Sequence, residues 1–65
     1  KNRIKALRAD SGWTQEDLAL QIGVSRQTVN AIEQGKTDPS LSVGFRIAQT
    51  FDLPLEKIFE PDIEH

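Results

Sequence analysis

Residues 26–34 bring one guanidinium and three side-chain amides into a short segment: Arg26, Gln27, Asn30 and Gln34. An amide carries a donor and an acceptor side by side, the complement of adenine's major-groove edge. A guanidinium offers two parallel donors, the complement of guanine. Stepped at about 100° per residue, Val29, Ile32 and Glu33 share one side of a helix. Gln27, Asn30, Ala31 and Gln34 fall roughly opposite, with Arg26 on the flank of the first turn. The polar side is amide-rich, has a small residue at its centre and carries no acid. A face that is only solvated more often mixes Glu with Lys. The chemistry on offer is hydrogen bonding to base edges.

Other chemistries lack their residues. There is no cysteine, and the single histidine is His65. A disulfide framework and a Cys-based zinc site are thereby excluded, and no metal site is expected. No Gly-rich phosphate loop is present, so neither an enzyme nor a cofactor is expected. Glu16 and Asp17 read as acids at a helix start, where the dipole favours them, rather than as a catalytic pair.

The amide face needs a helix, and the helix needs neighbours. A first helix is expected over about 2–10, with Ile4, Leu7 and Arg8 on one face and Ser11-Gly12 ending it. The second has a full entry signal: Thr14 as N-cap, Asp17 in the capping-box position, and Trp13 with Leu18 as a hydrophobic staple. Gln15, Leu18, Ala19 and Ile22 line one of its sides, and Gly23 stops it. The third starts from the Ser25 cap, with Val24 and Val29 as a second staple, and ends at Gly35. Pro39 and Ser40 break and restart the chain. A fourth helix over 41–51 places Leu41, Gly44, Phe45, Ala48 and Phe51 in its buried stripe, widened by Val43 and Ile47. A short fifth helix carries Leu55, Ile58 and Phe59. No segment alternates with period two, so the fold class is all-α, a compact bundle of five helices. The three residues between helices 2 and 3 turn the chain sharply, the helix-turn-helix layout that presents its second helix to a DNA major groove.

Size and charge bound the partners. The chain has 65 residues, 37% of them hydrophobic, which suits one small domain. No apolar run approaches the ~20 residues of a membrane span. No charged segment leads into an apolar one as in a secretory signal. These are traits of a reduced, cytoplasmic protein. The net charge of −2 speaks mildly against nucleic acid. Its distribution reverses that reading: residues 1–36 hold six basic and four acidic groups, whereas 37–65 hold two basic and six acidic ones. An anion would meet the first half.

The stretch from Thr14-Gln15-Glu16-Asp17-Leu18-Ala19 through Gly23-Val24-Ser25-Arg26-Gln27-Thr28-Val29 to Ile32-Glu33-Gln34-Gly35-Lys36 resembles the helix-turn-helix domains of the phage Cro and repressor class, also called the xenobiotic-response-element family. Asp38-Pro39-Ser40-Leu41, Ile47-Ala48 and Leu55-Glu56-Lys57-Ile58-Phe59 extend the resemblance over about residues 2–60. It implies a lambda-repressor-like DNA-binding domain over 1–60, followed by a short acidic tail at 61–65. It further implies that Arg26, Gln27, Thr28, Asn30 and Ala31 contact bases. Gln15, Ser25, Lys36 and Thr37 would contact phosphate, with Ser40 nearby. Arg8 and Glu33, both on inward sides, would form a structural ion pair.

The function so implied is a bacterial or phage-encoded transcriptional repressor, associated with the nucleoid when bound. Each copy reaches one half-site, so a homodimer on an inverted repeat is expected. Val43, Ile47, Leu55, Phe59 and Ile63 are the possible dimer contacts. The alternative is an antitoxin or interaction module of the same fold that acts through a protein partner. Gly44 departs from the family's small residue such as Ala, and Pro54 stands where the last helix usually has a Ser-like cap.

Overall fold

The structure, a computed structural model, describes residues 2–60. The helices in that span are α1 (Ile4–Asp10), α2 (Gln15–Ile22), α3 (Arg26–Glu33), α4 (Leu41–Phe51) and α5 (Leu55–Ile58). Three of them begin on a hydroxyl that accepts the backbone N–H three residues on. Thr14 Oγ1 accepts from Asp17 at 3.0 Å, Ser25 Oγ from Thr28 at 3.1 Å and Ser40 Oγ from Val43 at 3.3 Å. Each satisfies an otherwise orphaned donor and contributes about 1 kcal/mol. At α2 the box closes, because Asp17 Oδ2 accepts the Thr14 N–H at 2.9 Å.

The start of α1 lies two residues later than the sequence suggests. Asn2 acts as a bracket instead. Its Oδ1 accepts the Ile4 N–H at 3.2 Å, and its Nδ2 donates to the Ile32 carbonyl at the end of α3 at 2.8 Å. Its backbone forms an isolated antiparallel bridge with Phe59, beside a 2.8 Å bond from the Arg3 N–H to the Ile58 carbonyl. The two ends of the described chain are thus tied together just behind α3. Among the described residues there is no β-strand.

The core consists of Ile4, Leu18, Ala19, Ile22, Val29, Ile32, Ile47 and Ile58, each at most 4% exposed. All five helices supply at least one of them. Leu7, Val24, Val43, Ala48, Phe51 and Leu53 pack around this centre, as does Trp13, whose ring lies 5.7 Å from that of Phe51.

One helix is rotated from its expected setting. Leu41 is 69% and Phe45 51% exposed, while Gly44 and Ile47 are buried. The inward line of α4 is therefore Gly44, Ile47 and the half-buried Val43, Ala48 and Phe51. Leu41 and Phe45 do not belong to it. Pro54 sits at the N-cap of α5, not inside its first turn, and caps with no side-chain bond.

Candidate nucleic-acid interface

Two constraints aim α3. Gly23 ends α2 with φ 73°, in the left-handed region that L side chains adopt only at a cost. A Cβ there would also lie 3.0 Å from Arg46 Nη1, which donates to the Ile22 carbonyl at 3.3 Å. The backbone then passes through Val24 to the Ser25 cap, and α3 begins at once. Val29 and Ile32 are buried beneath it. Arg26, Gln27 and Gln34 are exposed, and Thr28, Asn30 and Ala31 are half-buried.

The residues singled out for base contact do not form one uniform surface. Gln27, Thr28 and Ala31 line a shallow cleft of about 400 Å³ together with Thr37, Asp38, Pro39, Ser40 and Val43. Thr37, expected at phosphate, thereby lines the same cleft as three residues expected at bases. Asp38 joins them too, an acid at the edge of a face that holds none of its own. The sequence placed Asp38 in the acidic half, and only the fold of the loop before α4 brings it to Gln27. Thr28 is partly committed, because its Oγ1 lies 2.9 Å from Ser25 Oγ. Arg26 and Lys36 are exposed cations on α3 and just after it.

Behind this face lies a polar network. Arg8 Nε donates to Glu33 Oε2 at 2.8 Å and its Nη2 to Oε1 at 3.2 Å, a two-pronged ion pair. The side chains are 15% and 4% exposed. Arg8 Nη1 donates to the Trp13 carbonyl at 2.9 Å, so one guanidinium fixes both α3 and the entry to α2. The hydrogen bond with Glu33 raises the already high pKa of Arg8, against the opposing effect of burial, with the carboxylate's charge adding to the rise. Gln15 joins the network: its Nε2 donates to Glu33 Oε1 at 3.2 Å and to Asn30 Oδ1 at 3.1 Å. Gln34 Nε2 donates to the same Asn30 oxygen at 3.2 Å.

Two of the sequence expectations change in this light. Both Nε2 hydrogens of Gln15 are directed inward, so a phosphate would meet the backbone N–H groups at the start of α2 before it met that side chain. Asn30 Oδ1 already meets two donors, Gln15 Nε2 and Gln34 Nε2, in the free protein.

The possible dimer residues scatter. Ile47 has no exposed surface and fills the core, so it is not a contact for a partner. Val43, Leu55 and Phe59 are half-buried. Ile63 and the 61–65 tail lie outside the described residues. The exposed apolar groups are Leu20, Leu41 and Phe45. Leu41, Gly44, Leu55 and Phe59 line a groove of about 680 Å³ that also carries Asp38, Glu56 and Glu60. No described helix is long and apolar enough to cross a membrane.

Known proteins are similar to this chain in sequence. An uncharacterized HTH-type transcriptional regulator of Methanocaldococcus jannaschii is 56% identical over 59 residues, covering 91% of this chain and 89% of its own. A counterpart in Bacillus subtilis, YgzD, is 46% identical with the same coverage. Antitoxin HipB of Escherichia coli O6:H1 is 35% identical over 54 residues, 83% of this chain and 57% of HipB. With residues 4–58 matching the helix-turn-helix family, across all five helices, the chain belongs to that family.

Proposed function

We propose that this chain is a sequence-specific double-stranded-DNA-binding transcriptional regulator, a repressor that binds an inverted-repeat operator as a homodimer with α3 in the major groove. The observation that carries the reading is the outer face of α3. Arg26, Gln27, Asn30 and Ala31 project from a helix whose rear is locked by a buried core and a two-pronged ion pair. Rigid placement of a few donors and acceptors is what base readout requires. The regulators of M. jannaschii and B. subtilis, alike over most of their length, support the same reading.

In this reading residues 1–60 are the DNA-binding domain. Gln27 and Arg26 contact bases directly, and Ala31 leaves room for a thymine methyl. Lys36, Thr37, Ser25 and the N-terminal backbone of α2 hold phosphate and set the register. In vitro selection of bound DNA tests this. The expected product is a two-fold-symmetric site with half-site centres about one helical turn apart. Gln27→Ala relaxes one base position, whereas Lys36→Ala weakens all sequences alike. Selection that yields no enriched sequence overturns the proposal.

A second reading has its own support. The HipB relatives are named antitoxins, and Leu41 and Phe45 leave apolar surface uncovered on α4. An antitoxin of this fold would use that surface for a protein partner. Co-purification with the product of a neighbouring gene, lost on Phe45→Ser while DNA selection is unchanged, would favour it.

A further inference from the structure

A single ion pair orients every amide in the chain of bonds that crosses from α1 to the outer face of α3. Arg8 can only donate, and ionised Glu33 can only accept. The Gln15 atom 3.2 Å from Glu33 Oε1 must therefore be Nε2. That same Nε2 lies 3.1 Å from the Asn30 side chain, so its second hydrogen points there and Asn30 must meet it with Oδ1. Gln34 also turns its Nε2 toward this oxygen, at 3.2 Å. Both lone pairs of Asn30 Oδ1 are then occupied. Asn30 Nδ2 is left with two N–H groups that no described residue engages.

We infer that the Arg8–Glu33 pair, acting through Gln15 and with Gln34 on the second lone pair of Asn30 Oδ1, makes Asn30 a donor-only reader of the groove. Arg8 and Glu33 are positioning residues here. The inference rests on the proposed DNA-binding function and sharpens it. An unconstrained Asn pairs with adenine by accepting from N6 and donating to N7. Asn30 cannot accept, so adenine loses one of its two bonds and its N6 group is left without a partner. Guanine, with O6 and N7, and thymine, with O4, present acceptors at the same place. With Arg26 also donor-only, two of the four polar side chains expected at bases (Arg26, Gln27, Thr28 and Asn30) favour acceptor-rich edges, and no described residue engages the Gln27 amide.

Two measurements test this, one without DNA. In the free protein, the Gln15 side-chain amide protons should exchange with solvent at least tenfold more slowly than those of Gln27, and this protection should fall in Glu33→Gln. Equal exchange for Gln15 and Gln27 in the native chain overturns the relay. The second measurement is selection of bound DNA. Asn30→Ala identifies the base position Asn30 reads, and a uniform loss with no position affected overturns its role as a reader. At that position the native protein should disfavour adenine by about fivefold or more. Gln15→Leu, which leaves the ion pair intact, and Glu33→Gln, whose amide can face either way, should both admit adenine. Gln15→Leu serves alone if Glu33→Gln does not fold, judged by helical circular dichroism. Adenine preferred by the native chain, or an unchanged site in folded Gln15→Leu, overturns the inference. A chain that selects no DNA removes the proposed function and the reader with it, while the exchange data still report whether the relay exists.

Discussion

At the scale of single residues, Glu33 has the largest consequences for its size. Its carboxylate is nearly enclosed and neutralises Arg8, which is itself mostly covered. Glu33→Ala leaves a mostly covered cation without its counter-ion, a change that typically costs about 3–5 kcal/mol. For a domain this small, 1 kcal/mol moves the melting temperature by roughly 4–8 °C. Glu33→Ala is thus expected to melt more than about 10 °C lower by circular dichroism. The double change Arg8→Met with Glu33→Leu should recover most of that loss, since replacing both charges removes the buried imbalance. The arginine end adds no pH dependence at ordinary pH. Its folded-state pKa is raised, so its contribution is complete below the ordinary arginine value and lost only at still higher pH. Both charges were legible as misfits on inward helix sides. The Gln15–Asn30 bond was not, because helical periodicity relates residues within a helix and says nothing about which side chains of two helices meet.

At the scale of elements, helix starts were the most legible feature. A hydroxyl cap acts over three residues, so Thr14, Ser25 and Ser40 mark α2, α3 and α4 without reference to the rest of the chain. The facing of α4 was not legible. Leu41, Val43, Phe45, Ile47, Ala48 and Phe51 surround most of that helix, so apolar spacing alone supports more than one inward line. Packing against α2 and α5 selected the line through Gly44 and Ile47. The glycines of these elements make opposite predictions. At Gly44, a Cβ would sit 3.5 Å from Leu55 Cδ2, an ordinary contact. Gly44→Ala should therefore stabilise the fold by about 0.5–1 kcal/mol through helix propensity, raising the melting temperature by several degrees. Gly23→Ala should lower stability by about 1 kcal/mol or more, because it forces a side chain into positive φ against Arg46. Denaturant midpoints of the two variants decide both.

At the scale of the whole molecule, the split of charge matters more than its sum. Arg26 and Lys36 are the exposed cations on and just beyond α3, and Asp38 lines a cleft with Gln27, Thr28 and Ala31. A dimer would then neutralise about four phosphates with these groups, for a slope of log affinity against log salt near −3.6. Lys36→Ala should reduce that slope by about one per subunit without altering the selected sequence. A salt titration of the native and variant proteins on the same site measures both. A slope near zero would mean that phosphate neutralisation does not drive binding. The groove lined by Leu41, Leu55 and Phe59 also carries Asp38, Glu56 and Glu60, so two such grooves placed face to face would repel. A two-fold interface is better sought around Phe45.

The sequence by itself determined the hydroxyl caps of α2, α3 and α4, the breaks between the helices, the amide-rich face of α3 and the lack of cysteine and of any histidine before the last residue. Each follows from residue type and from spacing within a few positions. Only the tertiary structure decided what crosses between elements. It turned Leu41 and Phe45 outward, placed Ile47 in the core and carried Asp38 to the edge of the interface. It also extended the expected Arg8–Glu33 pair through Gln15 to Asn30, as one polarised chain of hydrogen bonds. A hydrogen bond needs a particular atom within about 3 Å, and for residues on three different helices that distance is set by how the helices pack.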